Sequence, residues 1–155
     1  MKKLLFYFVT ITIIVFFEFL IPRFSFLGLF FIVFVGLYRG SSAGCTIGFI
    51  TGVVEGVFSI ASLGISSFTY SLIGYLVGYI PLRIDETNPV IQILILFFSI
   101  VFVKIISGII EIIFIGNRMP FHFDWTILLI LLAPLVFWIF TKWWKIWFEK
   151  LVVKR

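Results

Sequence analysis

Histidine and cysteine each occur once in the chain, as His122 and Cys45. A lone cysteine closes no disulfide, and one histidine with one neighbouring carboxylate, Asp124, falls short of the three or four ligands a metal site needs. No serine or cysteine stands with a plausible base for a nucleophilic triad, and no Gly-rich loop ending in Lys-Ser or Lys-Thr is there to cradle a phosphate. Enzymatic function therefore has no positive support, and no cofactor or metal is implied. Cys45, inside an apolar stretch, reads as a small packing residue.

Charge is also scarce. Only 12% of residues are charged while 63% are hydrophobic, with a mean hydropathy of +1.27, against roughly 25% and 45–50% in soluble domains. A water-soluble chain of 155 residues buries only about 70% of its unfolded surface, so this composition would leave large apolar patches in water. Lipid is the fitting solvent. The 22 phenylalanines are spread through every apolar run, as a lipid-facing surface requires. The net charge of +5 comes from basic residues at the ends of those runs, which points to membrane topology and away from nucleic acid.

Six apolar runs approach the roughly 20 residues of a transmembrane helix: 4–21, 24–38, 43–60, 65–82, 90–115 and 125–141. The breaks between them are too short to hold a domain, so residues 1–155 read as one all-α, multi-spanning membrane domain. Met1-Lys2-Lys3 and the apolar stretch after it imitate a signal peptide. No small-residue cleavage site follows, and the stretch reads as a retained first span. The second run is short, about 22 Å at about 1.5 Å per residue against a hydrocarbon core of about 30 Å. Pro134 is expected to kink the sixth.

Basic residues set the orientation, because cytoplasmic loops collect Lys and Arg. With six spans and both termini cytoplasmic, the inner side receives Lys2, Lys3, Arg39, Arg83, Lys142, Lys145, Lys150, Lys154 and Arg155, and the outer side only Arg23 and Arg118. In the last segment Phe140, Trp143, Trp144, Trp147, Phe148 and Leu151 recur at the spacing of one helical face. The sixth helix is thus expected to continue into an amphipathic basic tail, 140–155. Its Lys142, Trp143, Trp144, Lys145, Trp147 and Lys150 form a membrane-surface anchor, with tryptophan at headgroup level and lysine facing anionic lipid. Docking of a partner is the tail's other possible use.

Glycine supplies the clearest pattern: Gly36, Gly40, Gly44, Gly48, Gly52 and Gly56, each four residues after the last, with a shorter pair at Gly74 and Gly78. Glycines at this interval share a helix face and let a second backbone approach closely, which drives packing where lipid supplies no hydrophobic force. The face serves either packing within the chain or contact with a foreign helix. Three charges lie inside the spans, Glu55, Lys104 and Glu111. Each costs a few kcal/mol at the bilayer centre, so such groups are paired or functional. Lys104 pairs with Glu111 on nearly the same face or with Glu55. A structural pair, a partner or substrate site and a proton relay are the three uses open to them.

Residues 37–55, LYRGSSAGCTIGFITGVVE, followed by Leu63-Gly64 and then Tyr70 to Gly78, resemble the core of the rod shape-determining MreD family. In that family an Arg/Lys-Gly turn leads to a Gly-Phe-x-x-Gly helix with an acidic residue, then a Leu-Gly break, then a Gly-Tyr-rich helix. The matching residues here are Arg39, Gly40, Gly44, Gly48, Phe49, Gly52, Glu55, Leu63, Gly64, Gly74 and Tyr75. The family acid, usually aspartate, falls where this chain has Gly56. Glu55 stands one position earlier, about 100° round the helix, so no role is carried over to it.

The resemblance implies a non-enzymatic component of the bacterial cell-elongation machinery in the inner membrane. Such proteins work beside MreC, MreB, RodA and a class B penicillin-binding protein, coupling cytoskeleton to peptidoglycan synthesis. It implies a compact bundle of about six helices, similar to the substrate-binding subunits of energy-coupling-factor vitamin transporters. On this reading the glycine-lined face receives a helix of MreC. The alternative is a transporter subunit binding a vitamin-like molecule, with Glu55, Lys104 and Glu111 as polar contacts; a proton-coupled carrier is a third class.

Overall fold

The computed structural model describes residues 2–20, 27–58, 63–80, 88–115 and 136–147. Regular structure among them is entirely helical: α1 (Lys2–Leu20), α2 (Leu27–Arg39), α3 (Ser41–Phe58), α4 (Leu63–Tyr79), α5 (Pro89–Ile115) and α6 over 136–147. A helix pairs every backbone group within its own segment, which is what an apolar solvent demands. Hydroxyls inside these apolar segments are satisfied locally in the same way. Thr10, Thr69 and Ser99 each donate to the carbonyl four residues earlier, at 2.8, 2.7 and 2.7 Å.

Helix ends follow from single residues. Gly40 takes a φ of +86°, a left-handed conformation that glycine adopts without strain and that stops α2. Its N–H still donates to the Gly36 carbonyl at 2.9 Å, and its carbonyl accepts from Gly44 at 3.0 Å. The chain therefore turns from α2 into α3 while these backbone groups stay paired. At the start of α5, the Asn88 side chain accepts from the Val90 N–H at 3.0 Å, with Pro89 in the first helical position, where its missing N–H costs nothing.

The short second run turns out to be the centre of the molecule. α2 has 13 residues, and every one from Leu27 to Leu37 is buried. α1, α3, α4 and α5 all pack on it. α6 closes the remaining side through Phe137 on Phe30 and Trp144 on Phe31 and Phe34, with ring centroids 5.8, 5.2 and 5.5 Å apart. Its length of about 20 Å does not have to match the bilayer, because protein rather than lipid surrounds it. The phenylalanines accordingly divide: Phe30, Phe31 and Phe34 form the core, while Phe8, Phe16, Phe49, Phe68 and Phe98 are exposed. The expectation of a lipid-facing surface holds for the second group only.

One described stretch, Val90–Ile110 in α5, is long and apolar enough to cross a membrane; Leu5–Phe17, Leu27–Arg39 and Ser41–Val57 are apolar but shorter. α5 occupies nearly the expected 90–115. α3 and α4 each start two residues earlier than expected, and Leu63-Gly64 forms the first turn of α4 instead of a break. Ser66 and Ser67, which follow in α4, are small packing residues against Gly52 of α3. The first part of the sixth run with Pro134, the loop holding His122 and Asp124, and the tail from residue 148 with Lys150 lie outside the described residues.

Candidate functional site

The largest helix contact is between α3 and α4, and it is made of small residues. A methyl group added at Gly44 would land on the Gly74 carbonyl, 3.0 Å from the Gly36 Cα. One at Gly48 would land on the Tyr70 carbonyl, and one at Gly52 would sit 2.5 Å from the Ser67 Cα. In the reverse direction, Gly74 meets the Gly44 carbonyl and Gly78 meets the Ser41 backbone. Gly44 with Gly74, Gly48 with Tyr70 and Gly52 with Ser67 run in opposite senses along the two helices, so the pairing is antiparallel. Backbone lies on backbone along the whole seam. Gly36 brings α2 into it, since a methyl added there would sit 3.2 Å from the Gly74 carbonyl oxygen, so that three helices meet at Gly36, Gly44 and Gly74. Gly56 is buried on the same helix.

This settles one of the two uses of the glycine face. α4 of the same chain fills it, so the expectation that it receives a helix of MreC is corrected: a second backbone leaves no room for a third at Gly44, Gly48 or Gly52. Sequence reasoning saw the glycines on both helices, Gly74 and Gly78 included, and missed Ser67 and Ser71 between α4 and α3. Ser67, Ser71, Gly74 and Gly78 recur at helical intervals along α4, a small-residue stripe readable once serine is counted with glycine. Cys45 belongs to the same seam, its sulfur 3.1 Å from the Ser71 hydroxyl.

Buried polar atoms gather beside the seam. Thr51 and Glu55 are one turn apart on α3, and the Tyr70 hydroxyl donates to the Glu55 carboxylate. Glu55 Oε2 and Thr51 Oγ1 are buried without a hydrogen-bond partner among the described residues. A buried hydroxyl left unpaired costs about 1–3 kcal/mol. Thr51→Val, which replaces it with a methyl of similar shape, is expected to raise stability by about 1 kcal/mol; a lower melting temperature in detergent would contradict this. Lys104 is exposed on α5, and Glu111 lies two turns further along that helix.

A second cluster, absent from the sequence reading, forms at the Arg39 end of the bundle. Arg39 Nε donates to the Tyr7 hydroxyl at 3.2 Å. Gln92 Nε2 donates to the Tyr38 hydroxyl at 3.2 Å. Lys145 Nζ stands 5.9 Å from the centre of the Tyr38 ring, within cation–π range. These contacts join residues far apart in sequence, which no periodicity reveals. α6 corrects part of the anchor expectation. Trp143 and Trp147 are 65% and 55% exposed, whereas Trp144 is only 9% exposed, packed on Phe31, Phe34 and Phe140. Trp144 is a core residue because it lies one turn beyond Phe140 on the inward side, while Lys142 and Lys145 point outward.

The model of one protein family, described as rod shape-determining protein MreD, matches residues 2–148. The chain belongs to the MreD family. It is therefore a membrane protein of a shape-determining family, which is not a family of enzymes. No curated protein and no solved structure matches the chain. The residues that carry the MreD resemblance lie in α2, α3 and α4. Gly44, Gly48, Gly52 and Gly74 close the seam, Arg39 and Gly40 make the turn before it, and Phe49 and Tyr75 are exposed.

Proposed function

We propose that this MreD-family chain is a non-enzymatic, multi-pass component of the bacterial cell-elongation complex in the inner membrane. It helps maintain rod shape by linking MreC, MreB, RodA and a class B penicillin-binding protein. The family match over residues 2–148 carries this reading. The fold proposed with it is a single domain of six membrane crossings, arranged like energy-coupling-factor substrate-binding subunits, with both termini cytoplasmic. Support comes from the cluster at Arg39, which gathers the beginnings of α1 and α5 with the ends of α2 and α6, as alternating crossings require. The basic residues collected there agree with the inner side. Glu55, Lys104 and Glu111 are proposed as charges that orient helices within the bundle.

The transporter alternative gains no support from the family match. Of the grooves among the described residues, the one of about 390 Å³ between α3 and α4 is lined by Phe49, Val53, Gly64, Ser67, Phe68 and Ser71. That lining lacks the convergent polar groups that fix a small ligand. Affinity purification of the tagged protein from gently solubilised membranes tests the proposal. Recovery of MreC with cell-wall synthases is expected; recovery of paired ATPases with a transmembrane coupling subunit would replace it with a transporter.

A further inference from the structure

We propose that the Arg39 end of the bundle is a binding site for the phosphate of an anionic phospholipid. The reading rests on the membrane location proposed above, but not on any protein partner. Four helices build the site. α2 supplies Arg39 and Tyr38, α1 supplies Tyr7, α5 supplies Gln92 and α6 supplies Lys145.

Each of the two cations is braced by a tyrosine from another helix: Arg39 through its hydrogen bond to Tyr7, and Lys145 over the Tyr38 ring. Tyr38 is itself held by Gln92. A cation fixed in this way loses less freedom on meeting an anion than one on a mobile surface side chain. Arg39 and Lys145 remain exposed, as does Lys142 one turn before Lys145. Positive groups from α2 and α6 are thereby gathered at one end of the bundle, which a single amphipathic tail does not provide.

The surroundings select the kind of anion. Trp138, Ile139 and Trp143 precede Lys145 on α6, on the side of the bilayer interior when the end of α6 is cytoplasmic, and are exposed apolar side chains. A soluble phosphate or an acidic peptide would meet the cations and make no use of that apolar flank. A phospholipid meets both, with its phosphate on Arg39 and Lys145 and its acyl chains along Trp138 and Ile139. Basic pockets between transmembrane helices recognise anionic lipid headgroups in this manner.

The test uses the full chain purified in neutral detergent, with retained lipids counted by native mass spectrometry and melting followed as lipid is added. Phosphatidylglycerol or cardiolipin is expected to be retained and to raise the melting temperature more than phosphatidylcholine. Arg39→Gln with Lys145→Gln should weaken that retention about 25-fold, about fivefold for each cation, while Lys104→Gln, which removes a cation elsewhere, leaves it unchanged. Lys145→Gln alone, at an exposed position, gives the single step should the double variant not fold. Equal stabilisation by phosphatidylcholine, full retention by the folded variants, or an equal loss in Lys104→Gln would overturn the proposal. So would a full shift produced by inorganic phosphate or by an acidic peptide. The outcome is read on purified protein, so its failure leaves the complex membership read by co-purification untouched.

Discussion

Leucine at Gly48 is expected to destabilise the fold severely, by about 3 kcal/mol or more. The α3–α4 seam places the Tyr70 carbonyl where the first side-chain atom would go, with the Tyr70 carbonyl carbon 2.7 Å and the Ser71 Cα 3.1 Å away. A flexible side chain in the way could rotate aside, but these are backbone atoms of a helix that is itself packed on α2. Relief requires α4 to move as a body, which also opens the contacts at Gly44 and Gly52. Overpacking a core costs roughly 1–3 kcal/mol when side chains can adjust. With backbone on both sides the cost lies at or above about 3 kcal/mol, a large part of an ordinary folding free energy. Alanine at Gly48 already places the offending atom and should be destabilising too. Gly64, in the first turn of α4, has nothing within 4 Å of an added methyl, and Gly64→Ala should be tolerated. Size-exclusion profiles in detergent separate the cases. A sharp peak and wild-type melting for Gly48→Leu would mean that the seam is not built as described.

The three tryptophans of α6 give the second large effect, because they look alike in sequence and differ in structure. Trp144 is stacked against Phe31, Phe34 and Phe140 at centroid distances of 5.2, 5.5 and 5.3 Å. Removing it opens a void beside the buried middle of α2, and Trp144→Ala should cost about 3–5 kcal/mol. In lipid the loss is mostly of packing, since the solvent outside is as apolar as the core. Trp143→Ala and Trp147→Ala, at exposed positions, should change stability by no more than about 0.5 kcal/mol and act on membrane association instead. Melting temperatures of the three variants in one detergent decide it. Comparable losses for all three would return Trp144 to the anchor.

Some of this was legible beforehand, for reasons that differ from residue to residue. α5 could be read because one long apolar run has a clear beginning, and Asn88-Pro89 is a capping pair with a local mechanism. The seam could be read from its α3 side, since glycines at intervals of four have few other purposes in an apolar helix. Its α4 side was only half visible, through Gly74 and Gly78, because serine, the residue at Ser67 and Ser71, also marks turns. The central place of α2 was not legible at all. Phenylalanine facing lipid and phenylalanine facing protein belong to the same apolar run, and hydropathy does not distinguish them. Nor could the Tyr7–Arg39 and Gln92–Tyr38 bonds be foreseen, since 32 and 54 residues separate their partners.

The burial of α2 bears on how the chain is made. Residues 27–39 leave the ribosome ahead of α3, α4, α5 and α6, which pack around them. Phe31 and Phe34 are therefore synthesised before Trp144 exists, and until α4 and α6 follow they lack the protein neighbours that bury them. Biogenesis runs from the inside outward. The bundle can close around its interior segment only once the later helices have been synthesised.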